Sequence, residues 1–257
     1  MHVYIIIIYN NKYLERMFMK NYLKGFTLAE VLITLGIIGV VAALTMPSLI
    51  ASHKEKVTVA RLKKVYSTLE NAYMLARNEN MDVQSWFESD DVKTNSKIFY
   101  EKLKPYLNVM KDCGVESGCL TEGYVKTLDG RNYNNYNLNT KEYRFILSDG
   151  TQVMIYLAKS DFAASDSIGN IKVDIDGYRG SYTFGKDFFI FNITPKGIFP
   201  NGLENHPASD DTFEEACNNS KQSHANGAAC TAWVIFNENM DYLHCNDLNW
   251  DTKTKCK

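Results

Sequence analysis

The chain has no cysteine in its first 112 residues and only five prolines in 257, and neither sign of charge dominates, with 28 Lys and Arg against 30 Asp and Glu. A net charge of −2 supplies no general attraction toward nucleic acid or an anionic membrane surface, so any polyanion binding is local. With 15 Gly, 5 Pro and a hydrophobic share of 45%, collagen-like repeats and wholesale disorder are excluded. Catalytic signatures are scarce too. No Cys-x-x-Cys pair occurs, the histidines (His2, His53, His206, His224 and His244) form no HExxH pattern, and there is no G-x-S-x-G elbow. Gly180 to Asp187 (GSYTFGKD) imitates a P-loop, but Asp187 stands where the Mg²⁺-binding Ser or Thr is required and the strand-like FFIF follows. Asp174-Ile175-Asp176-Gly177 has the centre of an EF-hand loop, yet Lys172 occupies the first ligand position and Thr183 the twelfth. These absences point away from an enzyme.

What the chain does have is one long apolar run. From Phe26 to Ile50 (FTLAEVLITLGIIGVVAALTMPSLI) Glu30 is the single ionisable side chain. Roughly 20 apolar residues cross a hydrocarbon core as a helix, and helices in soluble cores are seldom apolar on every face for so long. A membrane span is therefore expected at 26–50. The earlier run from Val3 to Tyr9 is too short to cross, and Met19 offers a start within MKNYLKG, so residues 1–18 are read as a start-site artefact. Basic residues flank both ends of the span, Lys12, Arg16, Lys20 and Lys24 before it and Lys54, Lys56, Arg61, Lys63 and Lys64 after it, which leaves orientation open on charge alone.

Cysteine position resolves it. All six, Cys113, Cys119, Cys217, Cys230, Cys245 and Cys256, follow the span, and an even count there suits an oxidising compartment. The amino end is then inside and the rest extracytoplasmic. Six cysteines allow fifteen pairings; the sequence-local set, Cys113 with Cys119, Cys217 with Cys230 and Cys245 with Cys256, closes the shortest loops and is the expectation. Free thiols or a zinc site are the alternatives, although the spacings do not match the usual zinc patterns.

Beyond the span, Leu62, Val65, Tyr66, Leu69, Ala72, Tyr73 and Ala76 recur at steps of three and four, which predicts an amphipathic helix over 51–77 with its apolar face covered by a sheet. Pro47 is expected to bend the helix. Asn78 to Gln84 breaks the pattern, and Ser96 to Leu107 reads as a short helix. Tyr143 to Leu147 and Thr151 to Leu157 flank Ser148-Asp149-Gly150 as a hairpin. Ile171 to Ile175 and Asp187 to Thr194 read as further strands, Arg131 to Asn139 as a surface loop, and Asp211 to Cys217 and Thr231 to Leu243 as helices. Helix first and strands after is an α+β order, with residues 78–257 as a globular head.

The junction Lys24-Gly25-Phe26-Thr27-Leu28-Ala29-Glu30 resembles the cleavage and methylation site of type IV prepilins and type II secretion pseudopilins: a basic leader ending in Gly, then Phe, then a Glu, then about twenty apolar residues containing Pro47. The resemblance implies that a membrane-embedded prepilin peptidase removes residues 1–25, cutting between Gly25 and Phe26, and methylates the new amino terminus of Phe26. It implies that Glu30 neutralises that amine on a neighbouring subunit. On physical grounds, a carboxylate inside an apolar run costs several kcal/mol without a partner and is functional by default. The fold implied is pilin-like: a long amino-terminal helix, half membrane and half amphipathic, on an antiparallel sheet head with a disulfide-stapled carboxyl-terminal region.

The implied function is a structural subunit of a type II secretion pseudopilus, working in protein secretion; the alternative is a surface type IV pilin for adhesion, motility or DNA uptake. Its partners would be the peptidase, other pilin-like subunits through the helix, the assembly machinery and the membrane. No nucleic-acid partner is expected, because the basic residues are scattered and not interleaved with aromatics. No cofactor is expected either, except that pseudopilins bind calcium in a loop of the sheet, which puts forward Asp174, Asp176 and Asp187. A secretory signal peptide cut near Val41-Ala42-Ala43 would instead release a soluble binding protein, but leaves the Gly25-Phe26 and Glu30 arrangement without purpose.

Overall fold

The computed structural model describes residues 25–80, 83–87, 90–116, 119–134, 141–158, 167–204, 206, 211–218 and 223–256. The leader and start-site readings at 1–24 lie outside the described residues, as do 81–82 of the polar break and 135–139 of the expected loop. Contacts divide the chain into two units, Met1–Ala51 and Ser52–Lys257.

In the first unit, helix α1 (Leu28–Asn80) begins on a capping box: the Thr27 hydroxyl accepts the Glu30 N–H at 3.2 Å, and the Glu30 carboxylate accepts the Thr27 N–H at 2.8 Å. Its apolar side chains stand exposed, Leu28 at 80%, Ile38 at 63% and Leu49 at 70%. An 18-residue window of α1 has a mean hydropathy of 2.3 and is long and apolar enough to cross a membrane. The few hydroxyls are turned back on the helix, Thr34 to the Glu30 carbonyl at 2.9 Å and Thr45 to the Val41 carbonyl at 2.9 Å, so they present no free polar group. The helix runs on through Pro47.

The second unit is built on a six-stranded antiparallel sheet in the order β1-β4-β5-β6-β7-β8, with β1 Val109–Gly114, β4 Tyr143–Leu147, β5 Gln152–Leu157, β6 Gly169–Asp174, β7 Phe188–Ile193 and β8 Ile198–Pro200. A separate ribbon pairs β2 Val125–Lys126 with β3 Asn132–Asn134. Alternation puts Phe145, Ile155, Ile171, Val173, Phe189 and Phe191 on one face, in a single core with Leu62, Val65, Leu69 and Tyr73 of α1. Tyr66 stacks on Phe191 with ring centroids 5.5 Å apart, and the Tyr73 hydroxyl donates to the Thr194 carbonyl at 2.7 Å. The helical periodicity thus meets its expected sheet. Helix α2 (Val92–Leu103) is capped by Asp91, whose carboxylate accepts the Thr94 N–H at 2.9 Å, and adds Phe99, Tyr100 and Leu103 to the same core.

The other sheet face is also buried, under a smaller apolar cluster of Leu120, Val125, Met154, Tyr182, Phe184 and Phe188. Buried among its strand positions are Arg144, Gln152, Lys172, Asp174 and Asn192. The carboxyl-terminal region carries α3 (Phe213–Ala216) and α4 (Cys230–Asn237), with Trp233 stacked on Phe213 at 4.1 Å. Two expected helices are shorter than the sequence suggests. That over 231–243 ends where Glu238 takes a left-handed φ of 55°, and that over 211–217 keeps only its middle four residues. A long amino-terminal apolar helix, an antiparallel sheet and disulfides in the carboxyl-terminal region together make a pilin-like α+β fold.

Candidate processing and assembly segment

Gly25, Phe26 and Thr27 precede the first turn of α1 in irregular backbone. Among the described residues nothing lies within 4 Å of where a Gly25 Cβ would be, and Phe26 is 87% exposed. The Gly25–Phe26 peptide bond is therefore open to a protease that needs an extended segment. One turn on, the Glu30 carboxylate also accepts the Thr27 hydroxyl at 2.9 Å. The Thr-x-x-Glu spacing that produces this box was legible in the sequence, but Thr27 was assigned no part there.

The six cysteines form three disulfides, Cys113–Cys119, Cys217–Cys230 and Cys245–Cys256, which is the sequence-local set. The first links the end of β1 to the loop before β2, the second joins α3 to α4, and the third closes the tail.

Asp174, Asp176 and Asp187 come to one corner of the sheet, each with partners of its own. Asp174, at the end of β6, accepts the Gly177 N–H at 3.0 Å, the Asp176 N–H at 3.2 Å and the Thr121 hydroxyl at 3.0 Å. Burial, reinforced by the charge of Asp187, pushes its carboxyl up to about 7 against those hydrogen bonds. Asp187 accepts the Thr183 N–H at 2.5 Å, the Ser181 hydroxyl at 2.8 Å and the Ser181 N–H, and burial raises its carboxyl as well. Asp176 instead faces Arg61 of α1 at 2.6 Å. The corner is a clasp on the 175–187 loop, and among the described residues no group of three His, Cys, Asp or Glu side chains is arranged to hold a metal.

Two charged contacts had no sequence signal. Glu70, in the second half of the amphipathic part of α1, accepts the Ile198 N–H at 2.8 Å and so ties edge strand β8 to the helix. Glu142 and Lys172 form a buried ion pair of 2.8 Å, with side chains 1% and 8% exposed, across thirty residues of sequence.

Residues 48–239 match a family described as a family of unknown function, DUF6613. Residues 20–46 match the prokaryotic N-terminal methylation motif, which covers Gly25, Phe26 and Glu30. No curated protein and no solved structure matches the chain.

Proposed function

Since this chain belongs to the family of unknown function DUF6613 and carries the amino-terminal motif of prepilin-type proteins, we propose that it is a subunit of a type II secretion pseudopilus, cut after Gly25, methylated on Phe26 and polymerised through α1. At the coarser level it is a protein of type IV pilin or pseudopilin kind, and such proteins are structural subunits. Its work is mechanical: the apolar half of α1 supplies the adhesive surface, and Glu30 sets register, because an unpaired carboxylate penalises misaligned neighbours. Residues 26–50 span the membrane, and 78–257 form the extracytoplasmic head.

One observation carries this reading. The exposed Gly25–Phe26 bond leads straight into a helix whose apolar window is wholly unburied, so the segment offers both a cut and a surface that needs neighbours or lipid. Basic residues on the second half of α1 support a structural role over a polyanion-gripping one, because Arg61 pairs with Asp176, Lys63 with Glu238 and Lys64 with Asp149.

Mass spectrometry of the membrane fraction tests the processing step, with N-methyl-Phe26 as the expected amino terminus. A terminus after Ala43, or a mature-length product from Gly25→Leu, would overturn the assignment. Protease shaving of intact cells then separates the machines: a protected head fits the pseudopilus, whereas a shaved one makes the protein a surface pilin.

A further inference from the structure

On the sheet face away from α1, strands β5 and β6 contribute to a cavity of about 290 Å³. Its walls are aromatic: Tyr156 from β5, Tyr133 from β3 and Phe184 from the loop before β7. Tyr133 is fixed edge-on to both Phe184 and His224, each with ring centroids 5.2 Å away. The polar part of the lining is the buried pair already described together with Asn170, Asn201 and Asp211. Lys172 Nζ donates to Glu142 Oε1 at 2.8 Å and to Asn170 Oδ1 at 2.6 Å, and lies 5.6 Å from the centroid of the Tyr156 ring.

This arrangement selects a class of ligand. Glu142 and Lys172 neutralise each other, so an anion meets the carboxylates of Glu142 and Asp211, and a cation meets the ammonium of Lys172. Hydrogen-bonding capacity is left over nonetheless. Glu142 is too deeply buried to hydrogen-bond a ligand, whereas Asn170, half-buried in the lining, spends its Oδ1 on Lys172 and leaves its Nδ2 amide as a donor. A donor in that state calls for an acceptor. Aromatic faces suit a ring that presents C–H groups, while the amide suits a neutral hydroxyl that accepts its N–H. Ligand pockets start at roughly 300 Å³, so the cavity has room for one such ring.

We propose that this cavity binds a single ring of a neutral sugar, packed against Tyr156 and Tyr133 and hydrogen-bonded through a hydroxyl to the amide of Asn170. The side chains are held in place before a ligand arrives, which lowers the ordering cost of binding. The site belongs to the head and does not depend on which filament the protein enters.

Saturation-transfer NMR on the full-length protein in a polyoxyethylene detergent, which has no sugar headgroup, tests this. The probes are the methyl glycosides of galactose, glucose, mannose and N-acetylglucosamine, with inorganic phosphate and tetramethylammonium as charged comparators. At least one glycoside should receive saturation in preference to both ions, and Tyr156→Ala, at a half-buried position, should weaken it at least tenfold while thermal unfolding shows the head still folded. Glu142→Gln, which leaves Lys172 without its counter-charge, should also weaken it, with the same folding control. No response from any glycoside, a response to an ion alone, or unchanged sugar binding in folded Tyr156→Ala protein would overturn the proposal.

Discussion

The carboxylate of Glu30 is held by Thr27, whose backbone N–H and hydroxyl both donate to Oε2, at 2.8 and 2.9 Å. The one ionisable side chain of the apolar run is therefore partnered within its own subunit. In the proposed assembly, entry into a filament would exchange that cap for the amine of a neighbour, and the cap spares an isolated subunit a bare carboxylate in an apolar setting.

Two substitutions separate the cap from the charge. Glu30→Gln keeps a capping-box side chain but not the charge, whereas Glu30→Ala loses both, at about 1 kcal/mol of helix stability for the cap. Cleavage after Gly25 should persist in both variants, and filament incorporation, read from the sheared or pelleted fraction, should fall in both. If Glu30→Gln assembles like the unaltered protein while Glu30→Ala does not, the residue serves as a cap and not as a counter-ion.

The Asp174 clasp gives the head a pH dependence. Unfolded, Asp174 titrates near the usual value of about 3.9; in the fold, burial and Asp187 push it up to about 7. The folded state then holds a proton that the unfolded state releases, so this contribution is complete below the unfolded value and is lost as pH rises through 7. The loss is on the order of a few kcal/mol for a shift of this kind. Asp174→Asn should fold, since its oxygen can keep the N–H groups of Asp176 and Gly177, while the Thr121 hydroxyl can turn toward the Gly177 carbonyl at 3.2 Å. Thermal midpoints between about pH 5 and 8 should decline in the parent protein and flatten in the variant; parallel curves would remove Asp174 from the effect.

The parts of the fold legible in the sequence were those where burial is one-sided. Leu62, Val65, Leu69 and Tyr73 share one helical stripe because one face of α1 meets the sheet, and Phe189 and Phe191 alternate toward that stripe. Edge strand β1 was missed because Met110, Lys111 and Asp112 are exposed, and its register against β4 is broken by bulges. The ribbon strand β3 fell within a stretch read as loop, because Asn132 and Asn134 are polar and exposed. Of the candidate segment, Gly25, Phe26 and Glu30 were visible because they lie close together in sequence. The Glu142–Lys172 pair and the walls of the cavity were not, since strands far apart in sequence bring them together, and a buried polar residue on a strand has the same pattern as a solvated one.

Gly202 marks a point where two loops touch. It has φ +89°, and a Cβ there would lie 1.9 Å from the Ala229 carbonyl oxygen, which is backbone and cannot turn aside. Gly130 has nearly the same φ, +87°, with nothing within 4 Å among the described residues. Gly130→Ala should therefore cost only the conformational strain, about 1–3 kcal/mol, whereas Gly202→Ala should cost about 4 kcal/mol or more. Chemical denaturation of the two variants gives the difference, and equal losses would show that the loop moves aside at Gly202.

The Cys217–Cys230 disulfide crosses the most aromatic part of the carboxyl-terminal region, joining α3 to α4 where Phe213 stacks on Trp233 and Trp250 lies 5.1 Å from Trp233. Both sulfurs belong to buried residues, Cys217 at 2% and Cys230 at 0% exposure. Its sequence separation is 13 residues, against 6 for Cys113–Cys119. A loop of that length constrains the unfolded chain by roughly 3 kcal/mol, and removing the buried sulfurs also leaves a void beside the core. Cys217→Ala with Cys230→Ala should thus lower the thermal midpoint more than Cys113→Ala with Cys119→Ala, with tryptophan emission shifting at the lower temperature as Trp233 loses its stack. Cleavage after Gly25 should be unchanged, because the cut lies in the other unit. Peptide mapping without reductant checks the three pairs, and a Cys217 peptide linked to any partner but Cys230 would overturn this account of the region.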